Sequence, residues 1–434
     1  MSIITISVGQ CGNQVQNEFY NYIYQYFASH YSREESNNLN RSMLKFFTPT
    51  SDGIQARSVQ IDMEKKAIEW ARRSKKWKYP DNSIQFTSGS ANNWACGYFQ
   101  GSHKLKESIV DSVRREFEKS DKVDSLITFL SLAGGTGSGL GTNTLKFIAS
   151  EISVQWYNFI LSLGHILSSS IIDQPRSIIN FSNDIISSTC SRQLNKKQIS
   201  MTDINNLISH LLAGLVLPSV SSSDSLSLCS LQETIDCLVR DPFYPMLNMS
   251  TFPYHEKSIS KYSTEKWKQL NNDFDGLIDS QIPIYSGNSH RYRLADIVKN
   301  YEIVHRTKIQ YSCALFRGKE ASKYLRDAEG TKAQIRYNEN ELVHHPKSLT
   351  VLTNGGGLNF SDSTLNQLIQ NDKMTSCLPF IDFETNLRLI MKKVGSKLVN
   401  GAFLHHYKKF GIDPGVFQEC IDRLLQLGKD YAKA

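Results

Sequence analysis

Ser131-Leu-Ala-Gly-Gly-Thr-Gly-Ser-Gly-Leu-Gly141 decides how the rest of this 434-residue chain is read. It closes an apolar run, residues 126–132, that predicts a buried strand, and a helix is predicted to start near Ser138. Glycines let the backbone turn sharply and let a ligand approach with no side chain in the way. The free amides that open the next helix, together with its dipole, favour a phosphate group. The hydroxyls of Thr136 and Ser138 are further donors. G-x-G-x-x-G cannot be laid on these glycines, and G-x-x-x-x-G-K-[ST] is absent. Taken alone, the cluster reads equally well as a tight strand-to-helix turn with no ligand.

Working outward, three more segments repeat the pattern. Gly9-Gln-Cys-Gly-Asn-Gln14 follows a predicted strand at residues 3–8 and opens a helix running to about residue 27. Asp62-Met-Glu64 follows a short strand at 59–61, with a helix predicted over 65–73. Ser88-Gly-Ser-Ala-Asn-Asn-Trp-Ala95 is a small polar loop, and 107–118 is helical. Strands alternating with helices predict an α/β fold around a parallel sheet. In such a sheet the loops at the carboxyl ends of the strands converge on one crevice, where ligands bind. Turn chemistry explains one such loop; four on successive strands predict a ligand site. Further on, residues 202–217 predict a helix apolar on most of its surface, hence one lying between domains. Composition shifts at the serine-rich stretch 219–227, and two amphipathic helices, 382–399 and 413–431, dominate the end.

Composition narrows the classes. Forty per cent hydrophobic and 10% aromatic residues exclude a disordered chain. The net charge of +7 is a mild basic bias with no basic stripe, so nucleic acid is not expected as a partner. The eight cysteines form no C-x-x-C pair, which excludes a zinc cage and a disulfide framework and fits a reducing compartment. There is no H-E-x-x-H, and the doublets His344-His345 and His405-His406 are read as ordinary surface or core histidines. No basic region precedes the apolar run at Met1, so no secretory signal is expected. The greasiest window, residues 207–217, contains His210 and stops at Pro218, far short of the ~20 apolar residues of a membrane helix. A soluble, cytoplasmic protein without membrane contact is the expectation.

The four loops, in this order, resemble the tubulin family. Gly-Gly-Thr-Gly-Ser-Gly resembles its signature loop, Gly-Gln-Cys-Gly-Asn-Gln its amino-terminal loop, and Ala-Asn-Asn-Trp-Ala its γ-phosphate-sensing loop. Phe403-Leu-His-His-Tyr407 is similar to the family's F-L-H-x-Y. Trp77-Lys-Tyr79, Ala133, Lys197-Gln-Ile-Ser200 with Asp203-Ile-Asn205, Arg317-Gly-Lys319 and Lys409-Phe-Gly-Ile412 resemble delta-tubulin more than the wall subunits, with epsilon-tubulin next. The resemblance implies a Rossmann-like parallel-sheet GTP-binding domain over 1–200, a core helix over 201–220, an α+β intermediate domain over 221–365 and a carboxyl-terminal helical hairpin over 366–434. It implies GTP or GDP with Mg2+ as cofactors. Gln10 and Cys11 would lie along the phosphates and base, and Asn92 would face the γ-phosphate. Ser131, Gly134, Gly135, Thr136, Gly137, Ser138 and Gly139 would hold the α- and β-phosphates. Glu64, with Asp62 beside it, would reach the magnesium. Asn183 and Asn205 would read the guanine, since an amide both donates and accepts. Glu233 falls where the family places the acidic residue that orients water for GTP hydrolysis in the next subunit; it reads equally as a solvated helix-face charge. Other tubulins (epsilon-, alpha- or beta-type) and centriolar microtubules would be partners, with a location at the centriole or basal body and a role in cilia.

Three departures stand against the pattern. Met201 occupies the place of the aromatic that stacks on the guanine, and a thioether packs there less well. Only residues 142–153 separate the signature-loop helix from a segment, Val154-Gln-Trp-Tyr-Asn158, that the family places after a further strand and a ribose-contacting loop. Twelve residues cannot hold all of these, so the sheet is expected to lack one core strand, through a lost exon or in a degenerate paralogue. The chain closes on Gly428-Lys-Asp-Tyr-Ala-Lys-Ala434, where wall tubulins carry a long acidic tail. Two alternatives remain. One is a non-assembling relative that binds guanine nucleotide structurally. The other is a dinucleotide enzyme, which the missing G-x-G-x-x-G disfavours.

Overall fold

A computed structural model describes residues 2–30, 41–72, 76–86, 89–151, 156–160, 177–221, 229–241, 243–254, 266–282, 288–324, 333–370, 377, 380–401 and 404–433. They divide into two units. The first holds residues 1–182, 208–213 and 397–421, the second 183–207, 214–396 and 422–434.

In the first unit β1 (Ser2–Val8) is buried at every position, as a central strand covered on both faces must be. β4 (Ser58–Asp62) and β6 (Val123–Leu130) flank it in parallel, with Val8 opposite Ile61 on one side and Leu130 on the other. β5 (Ile84–Gln85) pairs parallel to β4. A separate hairpin joins β2 (Phe47–Thr50) and β3 (Gly53–Ala56). The helices are α1 (Gly9–Ser29), α2 (Lys65–Ala71), α3 (Ser102–Glu118) and α4 (Gly141–Glu151). α1 lies directly on β6: a methyl group on Gly12 would sit 3.0 Å from the Phe129 carbonyl carbon. Phe19 and Phe129 meet there at 5.5 Å between ring centres.

The expected loss of a core strand is corrected by the structure. β7 (Trp156–Ile160) pairs parallel with β6, Leu126 opposite Trp156 through Leu130 opposite Ile160. It pairs on its other side with β8 (Ser177–Asn180), Tyr157 opposite Ser177. Six parallel strands therefore run in the order β5-β4-β1-β6-β7-β8. The physical reason is the one that made a deletion costly: β6 and β8 would otherwise face each other with unpaired ladder groups. The segment read as lying beyond the strand, Trp-Tyr-Asn-Phe-Ile, is rich in aromatic and β-branched residues that suit a strand. It supplies the strand itself.

The second unit is mixed. β13 (Lys347–Phe360) pairs antiparallel with β10 (Met246–Phe252) and with β11 (Ile303–Gly318). β12 (Ala333–Asn338) runs parallel to β11 and pairs with β9 (Val220–Ser221). Most of the serine-rich stretch 219–227 lies outside the described residues. α8 (Trp267–Ser280) packs Trp267, Leu270, Phe274 and Leu277 on Phe316 and Val351. α5 (Asn183–Gln193), α7 (Leu231–Leu238), α9 (Asn288–Asn300), α10 (Asp362–Gln370) and α11 (Phe383–Val399) complete the elements between residues 183 and 399, with α6 (Met201–Val216) contributing residues 208–213 to the first unit. α12 (Leu404–Lys408) and α13 (Pro414–Lys433) follow. The far end of α13 lies against the start of α11, with Tyr431 Oη accepting from the Met246 amide at 2.6 Å and its ring 4.9 Å from Phe383. The two amphipathic patterns predict these two helices, and the resemblance implies their pairing as a hairpin.

Candidate functional site

The loops after β1, β4 and β6 meet at the carboxyl rim of the first unit's sheet, as parallel connections require. The closest approach is made by glycines. Gly9 adopts φ +78°, and a methyl group on it would stand 2.8 Å from the Gly137 nitrogen. A methyl on Gly135 would lie 2.5 Å from Asn93 O, and one on Gly97 would overlap Gly135 O. The turn 136–140 is π-helical, with Gly137, Ser138, Gly139 and Leu140 buried, and runs into α4 at Gly141. Wider turns of this kind recur at functional sites. Loop 89–95 closes over it: Ser90 Oγ is 3.1 Å from Thr136 Oγ1.

The site keeps an open side. A methyl group on Gly134 (φ +90°) would meet only Asn92 Oδ1, at 3.5 Å. Asn92 itself is exposed and left-handed at φ +55°, after Ala91 at +48°. Two non-glycine residues in that region store about 1–2 kcal/mol each, strain that clusters at ligand clamps. Gln10 and Glu64 are also exposed here, and a methyl on Gly89 would touch Glu64 Oε1 at 2.6 Å. The Cys11 thiol is pushed up to about 11 by burial, so it stays protonated and neutral. Ser131 Oγ accepts from the Ala133 amide at 3.1 Å, and Ser138 Oγ donates to Gly134 O. Both hydroxyls thus shape the loop.

Beneath the rim lies a buried polar layer. Asn13 Nδ2 donates to Gly9 O at 3.0 Å, to Ile61 O at 3.2 Å and to Asp62 Oδ2 at 3.3 Å, while Ser7 Oγ donates to Asn13 Oδ1 at 2.7 Å. One amide side chain thereby ties the loops after β1 and β4 together. The motif Gly-Gln-Cys-Gly-Asn-Gln contains Asn13, but the sequence reading gave it no part; its only signal was a polar residue one helical turn after Gly9, on the face turned to the sheet. Ser90 was missed in the same way.

Residues 9–14, 62–64, 89–95 and 131–141 contain no Lys, Arg or His. What these loops offer an anion is therefore backbone dipoles, and the two acidic residues Asp62 and Glu64 stand together, the Glu64 amide donating to Asp62 Oδ1 at 3.0 Å. Asp62 is 2% exposed, and its carboxyl is raised from 3.8 to about 6 by burial, against the opposing bonds from the Glu64 amide and Asn13. Folded-state stability from this group is complete below about pH 4 and is lost as pH rises through about 6, because the folded state must then bury a charge. In metal-free, nucleotide-free protein Asp62→Asn is expected to gain about 2 kcal/mol near neutral pH and nearly nothing at about pH 4. Urea unfolding at the two pH values measures it.

The remaining candidates belong to the second unit. Asn183 is exposed at the first position of α5, and Asn205 is buried in α6. Met201 is 51% exposed at the first position of α6. Glu233 is exposed in a capping box: Ser230 N donates to Glu233 Oε2 at 2.9 Å, and Glu233 N to Ser230 Oγ at 3.0 Å.

Residues 2–189 match the model of the Tubulin/FtsZ family, GTPase domain. The chain is 28% identical to the Tubulin delta chain of Homo sapiens and to that of Macaca fascicularis, with 99% of each chain covered. It is 24% identical to the Tubulin beta-1 chain of Chondrus crispus, covering 99% of this chain and 93% of that one. The chain is thus similar to tubulins from end to end, and more similar to these delta chains than to this beta chain. A GTPase domain of this family implies guanine-nucleotide binding, and tubulins as partners. No described helix is long and apolar enough to cross a membrane.

Proposed function

We propose that this GTP-binding, delta-tubulin-like chain is an assembling subunit that acts with epsilon-, alpha- or beta-type tubulins in forming or maintaining the triplet microtubules of centrioles and basal bodies, and hence cilia. The observation that carries the nucleotide part is the glycine contact between the amino-terminal loop and the turn 134–139, with space above Gly134 beside Asn92. A bound Mg2+, held by Glu64 and Asp62, would supply the positive charge these loops lack. The α- and β-phosphates would lie over Gly134 to Gly139, the γ-phosphate by Asn92, the guanine by Asn183 and Asn205, with Gln10 and Cys11 alongside. Nucleotide released from gently purified protein and identified by chromatography tests this: guanine nucleotide is expected, and NAD in its place would overturn the reading.

Glu233 is the residue we assign to hydrolysis in a neighbouring subunit. Its capping box makes a clean test possible. Glu233→Gln keeps an oxygen to accept from Ser230 N, so the helix start survives, while the carboxylate that would orient water is gone. In assembled protein the expected loss of GTP turnover is on the order of 100-fold, with unchanged nucleotide content. Equal turnover would leave Glu233 as a cap alone.

A second reading, a non-assembling relative whose nucleotide stabilises the fold, is favoured by Met201 in the stacking position. Bound GTP with no turnover and no sedimenting polymer at high concentration would select it.

A further inference from the structure

His305, Asp382 and Glu384 stand together in the second unit, far in sequence from every nucleotide loop. His305 lies on β11 directly opposite Asn359 of β13. Asp382 caps the start of α11, accepting from the Thr385 amide at 2.8 Å, and Glu384 is in the first turn. One ligand atom from each of the three lies within 4.8 Å of the others. Some point is then within about 2.8 Å of all three, so contraction by under about 1 Å would bring them to the 2.0–2.2 Å of a zinc-ligand bond.

Helix capping explains Asp382, and the Asn359 amide, donating to Asp382 Oδ2 at 3.0 Å and Glu384 Oε2 at 2.7 Å, holds the two carboxylates side by side. Neither explains His305, whose Nε2 is buried without a hydrogen-bond partner. A buried imidazole nitrogen left unpaired is costly, and a metal bond satisfies it. The surroundings are those that orient ligands: Thr307 Oγ1 donates to Asp382 Oδ2 at 2.6 Å, and Asn359 fixes both carboxylates. Arg388 stands 3.8 Å from Glu384, but its charge is shared with Asp362 at 3.5 Å, which Lys392 also approaches at 3.0 Å. The carboxylates Asp362, Asp382 and Glu384 outweigh the cations Arg388 and Lys392 by one charge. A mixed imidazole and carboxylate set suits zinc and its first-row neighbours better than Mg2+ or Ca2+.

We propose that His305, Asp382 and Glu384 form a divalent-metal site of the zinc class, pinning the β11–β13 ladder to the start of α11.

The full-length chain, stripped with a chelator and then saturated with guanine nucleotide and Mg2+, is titrated with Zn2+ against a chromogenic competitor and, in parallel, with Co2+. Expected are one site per chain, a zinc-dependent rise in Tm, and a cobalt spectrum without thiolate charge-transfer bands. His305→Gln and Glu384→Gln should each weaken zinc binding about 10- to 100-fold and abolish the rise in Tm. If His305→Gln fails to match the parent's circular dichroism, Glu384→Gln, which keeps the bond to Asn359, carries the test. No uptake at micromolar zinc, equal affinity in a folded variant, or thiolate bands that place the ion on cysteines would overturn the proposal.

Discussion

Gly9→Val is expected to give a chain that retains no guanine nucleotide through purification, in contrast to the retention expected of the parent. Gly9 has φ +78°, a region that costs a non-glycine residue about 1–2 kcal/mol. Its side chain would also start 2.8 Å from Gly137 N and 3.1 Å from Gly137 Cα, contacts with backbone that cannot rotate aside. Overpacking of this kind adds about 1–3 kcal/mol, and relief means moving the amino-terminal loop away from the signature loop. That separation would break the loop contact on which the proposed phosphate site rests. Gly411→Ala is the control. Gly411 has nearly the same φ, +75°, but nothing within 4 Å of the added methyl group. It should lose about 1–2 kcal/mol of stability and keep its nucleotide. Nucleotide content by chromatography and urea midpoints for both variants decide the matter. Parallel losses in the two would mean that backbone strain, not the loop contact, governs the site.

The comparison between Gly9 and Asn13 shows how much of the site could be read from residues alone. A glycine cluster after an apolar run is a local signal, because φ preference and phosphate-binding amides are properties of a few consecutive residues. Gln10, Asn92 and Gly134 to Gly139 carry such local signals, and the structure brings their loops to one rim. Asn13 and Asp62 bond across 49 positions of sequence, and nothing local marks a helix-borne amide as the partner of a distant carboxylate. β7 failed for a related reason. Trp156–Ile160 resembles a segment with a different place in the family, and that likeness masks its strand propensity and its place as the partner that β6 and β8 need. Glu233 fell between the two: its position was readable, its capping box was readable as Ser-Leu-Gln-Glu, and only assembly chemistry distinguishes them. Several delta-like features proved to be packing. Trp77 and Tyr79 are buried with rings 4.7 Å apart, and Trp77 stands 5.2 Å from Tyr20. Likeness there reports a shared core and carries no information about partners.

Arg317 extends that argument to a large stability effect in the second unit. It is wholly buried on β11, and its guanidinium donates to Gly214 O at 3.0 Å, Leu217 O at 2.7 Å and Pro218 O at 2.7 Å. These carbonyls lie in and just beyond the last turn of α6, where a helix leaves its acceptors without internal partners and its dipole favours a cation. Pro218 prevents the helix from continuing. Arg317→Met roughly keeps the volume yet takes the guanidinium from the buried Gly214 and Leu217 carbonyls, while Pro218 O keeps the Asn338 amide at 2.9 Å, and about 3–5 kcal/mol is expected to go. Arg317→Lys should recover part of it, about 1–2 kcal/mol, because an ammonium reaches fewer of the three than a planar fork does. Urea unfolding of nucleotide-loaded protein measures both. A loss under about 1 kcal/mol for Arg317→Met would show that water or a shifted backbone satisfies the end of α6, and would remove the cap as the reason for this arginine. Gly318 belongs to the same device: at φ +131° it lets the strand turn where any side chain would run into Pro346 O. The Arg-Gly pair therefore records how one strand end is locked to one helix end, and partner choice has to be sought on exposed residues such as Glu233.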